Sequence, residues 1–157
     1  MDISPFTASG SVVIAASREA LYDFIADMPA MGAISPQCTG GEWQDEQRGV
    51  GAHFLGSNAM GERTWQALMQ VVVADRPREF AWENMGAVGW PDSTPLVRWG
   101  YAFDPVEDGT RVEETWRIVQ TYSALEELPE TARAGLPGWM HDTIAETLGN
   151  LKARFES

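Results

Sequence analysis

The sequence predicts an α+β domain in which a curved antiparallel sheet of about seven strands wraps around a long C-terminal helix. Three observations support this fold class. About seven segments alternate apolar and polar side chains, the pattern of antiparallel strands with one covered face. Two other segments, one near each end, repeat apolar residues every three to four positions, as amphipathic helices do. The length of 157 residues suits one domain, expected to span 1–157.

The first strand and the first helix are expected side by side near the N-terminus. β-Branched residues cluster over residues 10–16, which favours a strand. Ser17 then has the hydroxyl that stabilises a helix N-terminus, and Glu19 lies in the first turn, where its charge favours the helix dipole. Pro29 ends this helix, and a short further helical turn is expected before Ser35. One apolar stripe identifies the helix: Leu21, Phe24, Ile25 and Met28.

Six more strands are expected in the middle of the chain. Period-two alternation places apolar side chains on one face and polar ones on the other. The signal Asp75-Arg76-Pro77 predicts a turn, and Glu107-Asp108-Gly109 predicts a hairpin. The six expected strands cover 41–45, 50–57, 63–74, 78–84, 96–103 and 110–120.

A long amphipathic helix is expected over residues 138–155. Its apolar stripe repeats every three or four residues, and Thr147 lies on the same side. The preceding segment, 123–138, contains Pro129 and Pro137 and is compatible with either an interrupted helical turn or a mobile connection. The stripe consists of Met140, Ile144, Leu148, Leu151 and Phe155.

Composition excludes several classes of function. Eleven basic and 23 acidic residues give a net charge of −12, which disfavours binding to nucleic acid or to anionic membranes. Apolar runs reach only about five residues, so we expect no membrane insertion. Cys38 is the single cysteine, which excludes an internal disulfide and favours a cytoplasmic location. With only His53 and His141 beside it, we expect neither a metal nor another cofactor.

The concave side of such a sheet has two possible contents. A twisted sheet of seven strands curls, and a helix about 10 Å wide does not fill the space beneath it. Large side chains fill the rest as a packed core, or an apolar ligand pocket of roughly several hundred Å³ remains. The side chains expected to line this space and to bind the ligand are Phe54, Asn58, Trp65, Met69, Phe80, Trp82, Trp99, Tyr101, Trp116, Met140, Ile144 and Leu148.

Glu114 is the polar residue that the alternation places on the apolar face. A carboxylate there is unfavourable unless it is paired or hydrogen-bonded. Three roles remain open: a structural partner for a backbone group or an arginine, a polar anchor for a ligand, or a general acid/base with a raised pKa. Tyr101 and Asn58 either orient a ligand oxygen or satisfy backbone groups of nearby loops.

Trp90 is an apolar side chain in the loop 85–95. It is expected either to cover the mouth of the cavity as a gate or to mark an interface in a homodimer. The segment 123–138 is the expected opposite side of the same gate.

Four sequence segments, in this order, resemble the START-like group, also called the SRPBCC or polyketide cyclase/dehydrase superfamily. The resemblance extends over about residues 8–156. The segments are V-x-I-x-A-S-x-E-x-L-Y-D-F-I-A-D-M at 12–28, S-P-x-C at 35–38, G-V-G-A-x-F-x-G-x-N at 49–58 and G-T-R-V-E-E-T-W at 109–116. The resemblance implies the helix-grip fold and a hydrophobic, lipid- or polyketide-like ligand held between sheet and C-terminal helix. The chain departs from its bacterial relatives at Ile34 and Gln37, which replace a Trp and a Glu, so this loop offers no carboxylate.

Three functions follow as hypotheses. The first is a carrier that binds a small hydrophobic or amphipathic molecule without chemistry of its own. The second, implied by the resemblance, is a polyketide cyclase/dehydratase-like enzyme in which Glu114 transfers protons while Tyr101 and Asn58 orient oxygens. The third is a protein-interaction module, which requires an exposed apolar patch. The apolar face carries a single carboxylate and no second titrating partner, which favours the carrier.

Overall fold

A computed structural model describes residues 1–87 and 95–157. The expected gate residue, Trp90, lies outside the described residues. No helix among the described residues is long and apolar enough to cross a bilayer. In chain order the elements are β1 (Thr7–Ile14), α1 (Arg18–Ala26), a 3₁₀ helix (Met28–Ala33), β2 (Cys38–Trp43), β3 (His53–Met60), β4 (Arg63–Asp75), β5 (Glu79–Ala87), β6 (Val97–Val106), β7 (Gly109–Ile118), α2 (Ser123–Glu126) and α3 (Glu130–Glu156).

The seven strands form one antiparallel sheet in the order β1-β7-β6-β5-β4-β3-β2. From β2 to β7 each strand pairs with the next strand in the chain, and β1 pairs with β7. The sheet is open, with β1 and β2 at its edges. This architecture confirms the predicted α+β fold with a long C-terminal helix.

Strand bounds differ from the predicted ones by a few residues, for local reasons. β1 ends at Ile14 because the next amide, Ala15 N–H, donates to the Glu156 carboxylate (2.9 Å) instead of to a strand. β3 begins at His53 because Gly51 has a φ of +92°, which breaks an extended chain.

Helix α1 begins at the predicted cap and packs against the sheet. The Ser17 hydroxyl accepts a hydrogen bond from Ala20 N–H (3.2 Å), which satisfies one of the free amides of the first turn. Tyr22 reaches the sheet with edge-to-face contacts to Phe80 and Phe103, at ring separations of 5.9 and 5.8 Å. These contacts fix α1 over β5 and β6.

Helix α3 begins at Glu130, eight residues before the expected start at 138. Pro137 therefore lies inside the helix, and most of the segment 123–138 is helical. A proline removes a single helical hydrogen bond, the one to the Arg133 carbonyl. The surrounding turn is partly exposed, so water can satisfy that carbonyl, and the helix continues.

Helix α3 crosses β1 at a position where the strand has no side chain. A Cβ atom added at Gly10 would lie 3.0 Å from Ile144 Cγ2 and 3.6 Å from Leu148 Cδ1. The end of the helix is fixed to the same strand, because Lys152 Nζ donates to the Val13 carbonyl (2.7 Å). Gly10 therefore allows the close approach of helix and sheet on which the concave side depends.

The predicted β6–β7 hairpin is confirmed. Val106 pairs with Gly109, which leaves Glu107 and Asp108 in the turn. Asp108 has a φ of +69°, a conformation that Asp tolerates better than most residues. This tight turn fixes the register that places Tyr101 opposite Glu114.

Candidate functional site

A cavity of about 80 Å³ lies between the concave face of the sheet, α3 and the 3₁₀ helix. Its volume is well below the several hundred Å³ expected from the sequence, because bulky aromatic side chains occupy much of the space. The concave side is thus largely packed but not solid. The residues that line the cavity are Met28, Met31, Ser35, Gln37, Cys38, Phe54, Gly56, Asn58, Met69, Trp82, Trp99, Tyr101, Glu114, Thr143 and Thr147.

The structure brings seven of the residues singled out from the sequence together around this cavity. Strand β3 contributes two of them, β4 and β5 one each, β6 two and β7 one. All project from the same face of adjacent strands, as the alternation predicted. They are Phe54, Asn58, Met69, Trp82, Trp99, Tyr101 and Glu114.

Six residues expected at the cavity do not line it. Five of them are buried in the surrounding core, where α1 and α3 cover the sheet: Phe80, Trp116, Met140, Ile144 and Leu148. The sixth, Trp65, is only partly buried, and the Arg63 guanidinium lies 5.4 Å from its ring centre. Pairing between β4 and β5 begins at Ala67, and Trp65 lies before that point. Around Trp65 the strand β4 therefore pairs with β3 but not with β5.

Aromatic rings form one continuous wall of the cavity region. Neighbouring rings are nearly parallel: Trp82 and Trp99 at 6.5 Å and 15°, Trp82 and Tyr101 at 5.9 Å and 17°, Tyr101 and Phe103 at 6.4 Å and 16°. The arrangement follows from the register, which pairs Trp82 with Trp99 across β5 and β6. These four stacked rings are called the aromatic wall, and three of them, Trp82, Trp99 and Tyr101, line the cavity and make this side of it apolar.

Glu114 and Tyr101 form the polar end of the cavity. The two residues pair directly across β6 and β7, and their relative exposures are 3% and 1%. Neither Glu114 Oε1 nor the Tyr101 hydroxyl makes a hydrogen bond to any group in the part of the chain that the structure describes. Each unsatisfied group costs roughly 1–3 kcal/mol of folding free energy, so a water molecule or a polar ligand atom is expected beside the pair.

Burial controls the protonation of this pair. It raises the pKa of Glu114 to about 8, and the nearby Tyr101 hydroxyl acts in the opposite direction without reaching the geometry of a full hydrogen bond. Burial, followed by the charge of Glu114, also raises the pKa of Tyr101 well above its usual value. At pH 7 the free protein therefore holds Glu114 mostly as a neutral acid, able either to donate or to accept a proton.

The loop that joins the 3₁₀ helix to β2 also lines the cavity, although sequence reasoning did not assign it to the site. The Ser35 hydroxyl accepts hydrogen bonds from the backbone amides of Gln37 (3.2 Å) and Cys38 (3.0 Å), which shapes the loop. Burial raises the pKa of the Cys38 thiol, so it remains protonated and weakly nucleophilic. The S-P-x-C segment marked this loop only through the family resemblance.

Helix α3 presents two threonines that sequence reasoning also did not assign. Thr147 Oγ1 donates to the Thr143 carbonyl (2.9 Å), and Thr143 Oγ1 donates to the Trp139 carbonyl (3.0 Å). The hydroxyl protons are thus used within the helix, which leaves acceptor lone pairs. Thr147 lies on the predicted apolar stripe, and Thr143, four residues earlier, lies on the same helix face. The helical periodicity of the sequence therefore indicates that both threonines face the cavity.

The two histidines lie elsewhere. His53 Nδ1 is 2.9 Å from Asp45 Oδ2, and His141 is exposed beside Asp142. Neither lines the cavity. The described residues contain no group of three side chains suited to holding a metal ion.

Comparison with known proteins gives a family and a fold. A family model described as polyketide cyclase / dehydrase and lipid transport matches residues 5–156. A polyketide-cyclase-like protein from Corynebacterium glutamicum, solved by NMR, is 30% identical over 96% of this chain and 91% of its own, with a TM-score of 0.60. No curated protein sequence matches the chain significantly.

A more distant solved structure shares the fold. The Zhui aromatase/cyclase from Streptomyces sp. R1128 is 15% identical, with 96% of this chain and 93% of that chain covered and a TM-score of 0.74. At this identity the similarity concerns the arrangement of sheet and helices alone.

Proposed function

Since the chain belongs to the polyketide cyclase / dehydrase and lipid transport family, we propose that it binds a small hydrophobic or amphipathic molecule in the cavity between the sheet and α3. The observation that carries the proposal is the pair formed by Glu114 and Tyr101. Two buried polar groups that have no partner among the residues described by the structure, at the end of an aromatic cavity, provide the hydrogen-bonding sites that a ligand would complete.

The cavity offers separate surfaces to the two ends of such a ligand. Phe54, Trp82 and Trp99 would contact its apolar part, and burial of that part provides most of the binding free energy. Glu114 and Tyr101 would bind its polar end. The amides of Asn58 and Gln37, on the neighbouring walls, can orient further polar atoms.

The volume of the cavity limits the ligand. About 80 Å³ accommodates a small molecule or one end of a larger one. A ligand of lipid or polyketide size therefore requires the walls to move. The side chains best suited to this movement are Met28, Met31 and Met69, because unbranched thioether side chains change rotamer easily.

We favour a carrier over an enzyme. Glu114 is the only carboxyl group that lines the cavity among the described residues, and the other two titratable groups there, Tyr101 and Cys38, have pKa values raised by burial. Acid–base catalysis of a cyclisation or dehydration usually employs groups that titrate near neutral pH.

We also propose a cytoplasmic location, because the single cysteine forms no internal disulfide.

The proposal is tested by native mass spectrometry of the protein purified from its own cells. We expect a small organic molecule to remain bound, and Trp99→Ala to lose it. Trp65→Ala is the matched control, because Trp65 lies outside the cavity and this variant should retain the molecule. Equal retention, or equal loss, in both tryptophan variants would contradict binding at this site.

The second candidate is a polyketide cyclase/dehydratase-like enzyme. The observation in its favour is the pKa of about 8 at Glu114, which is suitable for proton transfer near neutral pH. If the co-purified molecule is converted to a product, Glu114→Gln should abolish turnover while binding and the fold persist. Undiminished turnover in this variant would exclude Glu114 as the acid/base.

A further inference from the structure

We propose that the polar end of the bound molecule is a protonated amine, held by the Glu114 carboxylate beside the aromatic wall. This inference rests on the proposed ligand-binding function and names the chemical class of its ligand.

The charges around the cavity exclude one class of ligand. Among the described residues, the cavity is lined by one acid, Glu114, and by no arginine, lysine or histidine. A bound carboxylate or phosphate would lie near a buried acid with no counter-ion, an arrangement that is strongly unfavourable. The net charge of −12 acts in the same direction, since it repels anions and attracts cations.

The unsatisfied oxygen of Glu114 distinguishes an amine ligand from a carbonyl ligand. Glu114 Oε1 is a buried oxygen without a hydrogen-bond partner in the described parts of the chain, 1–87 and 95–157. A ligand carbonyl has no hydrogen to donate to the ionised carboxylate and can bind only by accepting the proton of the neutral acid, so its affinity would fall above pH 8, whereas an amine pairs with the ionised form. An ammonium group donates up to three hydrogen bonds, and a charge-assisted bond to a carboxylate is roughly twice as strong as a neutral one.

The aromatic rings add a second attraction for a cation. Trp82, Trp99 and Tyr101 line the cavity on one side, and Phe54 lines it from β3. An ammonium group that reaches the face of one of these rings gains a cation–π attraction, strongest where water is excluded, which a neutral alcohol of the same shape does not gain.

Binding of a cation must change the protonation of Glu114. Among the described residues, the titratable groups that share the cavity with it are Tyr101 from β6 and Cys38 from β2, and burial raises the pKa of both, so both are uncharged at neutral pH. Helix α3 presents only Thr143 and Thr147 to the cavity. Burial gives Glu114 a pKa of about 8, so below that pH an incoming ammonium displaces a proton from it.

A matched pair of probes tests the inference by calorimetry between pH 6 and 9. We choose 2-phenylethylamine and 2-phenylethanol, which have nearly the same shape and differ in charge. An alkylammonium resembles the lysine side chain, with a pKa of about 10.4, and stays charged over this range. We expect the affinity of the amine to rise about tenfold per pH unit from pH 6 to 8 and then to level off. The alcohol should show no such rise.

Two further measurements link the preference to Glu114. Glu114→Gln should remove both the pH dependence and the preference for the amine, while the alcohol still binds. Glu113→Gln is the matched control, since Glu113 lies next in the chain on the opposite face and pairs with Arg111. In the unmutated protein at pH 6, calorimetry in two buffers of different ionisation enthalpy should show nearly one proton released per amine bound.

The possible outcomes separate the two proposals. Equal affinities for amine and alcohol, a preference that persists in Glu114→Gln, or the absence of proton release would overturn the amine inference and leave the ligand-binding proposal intact. If the amine does not bind at millimolar concentration, the amine inference is overturned, and the ligand-binding proposal is then decided by the native mass spectrometry of the co-purified molecule.

Discussion

At the scale of single residues, Glu114 couples protonation to folding. The folded protein keeps its proton up to about pH 8, whereas the unfolded chain releases it near pH 4.5. Between these values the native state binds more protons, so the contribution of Glu114 to stability decreases as pH rises and is constant above pH 8. Between pH 4.5 and 8 the contribution of Glu114 to the unfolding free energy falls by about 5 kcal/mol in total.

The variant Glu114→Gln should abolish this pH dependence. We expect the wild-type protein to lose stability relative to the variant as pH rises from 5 to 9, by a few kcal/mol. Urea unfolding at pH 5, 7 and 9 measures the difference in unfolding free energy between wild type and variant. The contributions of the other titrating groups cancel in this difference. Glu113→Gln, on the exposed face, should follow the wild type. A constant difference between wild type and Glu114→Gln would show that Glu114 is ionised in the folded state.

Single residues also show how far alternation in the sequence predicts the position of a side chain. Glu114 and Tyr101 were identified because a polar group within an apolar alternation is visible in the sequence. Trp65 and Trp99 follow the same alternation, yet only Trp99 lines the cavity. Alternation gives the face on which a side chain lies, but it does not show which part of that face is covered.

At the scale of elements, the contact between α3 and β1 depends on Gly10. A side chain there would meet Ile144 and Leu148. We expect Gly10→Val to destabilise the fold by about 1–3 kcal/mol, because the strand position is overpacked and the helix must shift. Thermal or urea unfolding measures the loss.

The control for Gly10 is a glycine within α3 itself. A Cβ atom added at Gly135 meets no atom of the other described residues within 4 Å. Gly135→Ala should therefore stabilise the protein by about 0.5–1 kcal/mol through helix propensity alone. If Gly10→Val is as well tolerated as Gly135→Ala, the close approach of helix and strand is not required.

Elements differ in how far the sequence specifies them. The strands and the Ser17 cap were predictable because alternation and capping are local signals. The start of α3 was not, because Pro137 disfavours a helix locally and yet the helix continues through it. The loop at Ser35 was not assigned to the site, since its path depends on contacts with distant parts of the chain. One such contact is the bond from Asn150 Nδ2 to the Ile34 carbonyl (2.9 Å).

At the scale of the whole molecule, the excess of acidic groups opposes compactness. With 23 acidic and 11 basic residues, self-repulsion favours the unfolded chain. We expect an increase of NaCl from about 0.05 to 0.5 M to raise the free energy of unfolding at pH 7 by about 1 kcal/mol, through screening. Near pH 4, where many carboxylates are protonated, the increase should disappear. A salt effect of the same size at both pH values would point to a cause other than charge.

The order of elements was sufficient to predict the architecture, but not the volume of its interior. A sheet of seven strands and one long helix leave a concave space, and the sequence shows this. Whether that space is filled depends on the rotamers of side chains such as Trp82 and Trp116, which periodicity does not encode. A homodimer stays a prediction, with the open edges at β1 and β2 as surfaces where a second chain can pair.

The pairing of β1 with β7 affects the time course of biosynthesis. Val12 pairs with Val112, and Val13 meets Lys152 still later in the chain. A ribosome adds about 5–20 residues per second, so the first strand emerges roughly 5–20 s before its partner strand. During this interval the backbone of β1 has no strand to pair with, so native pairing at this edge of the sheet begins only after β7 has been synthesised.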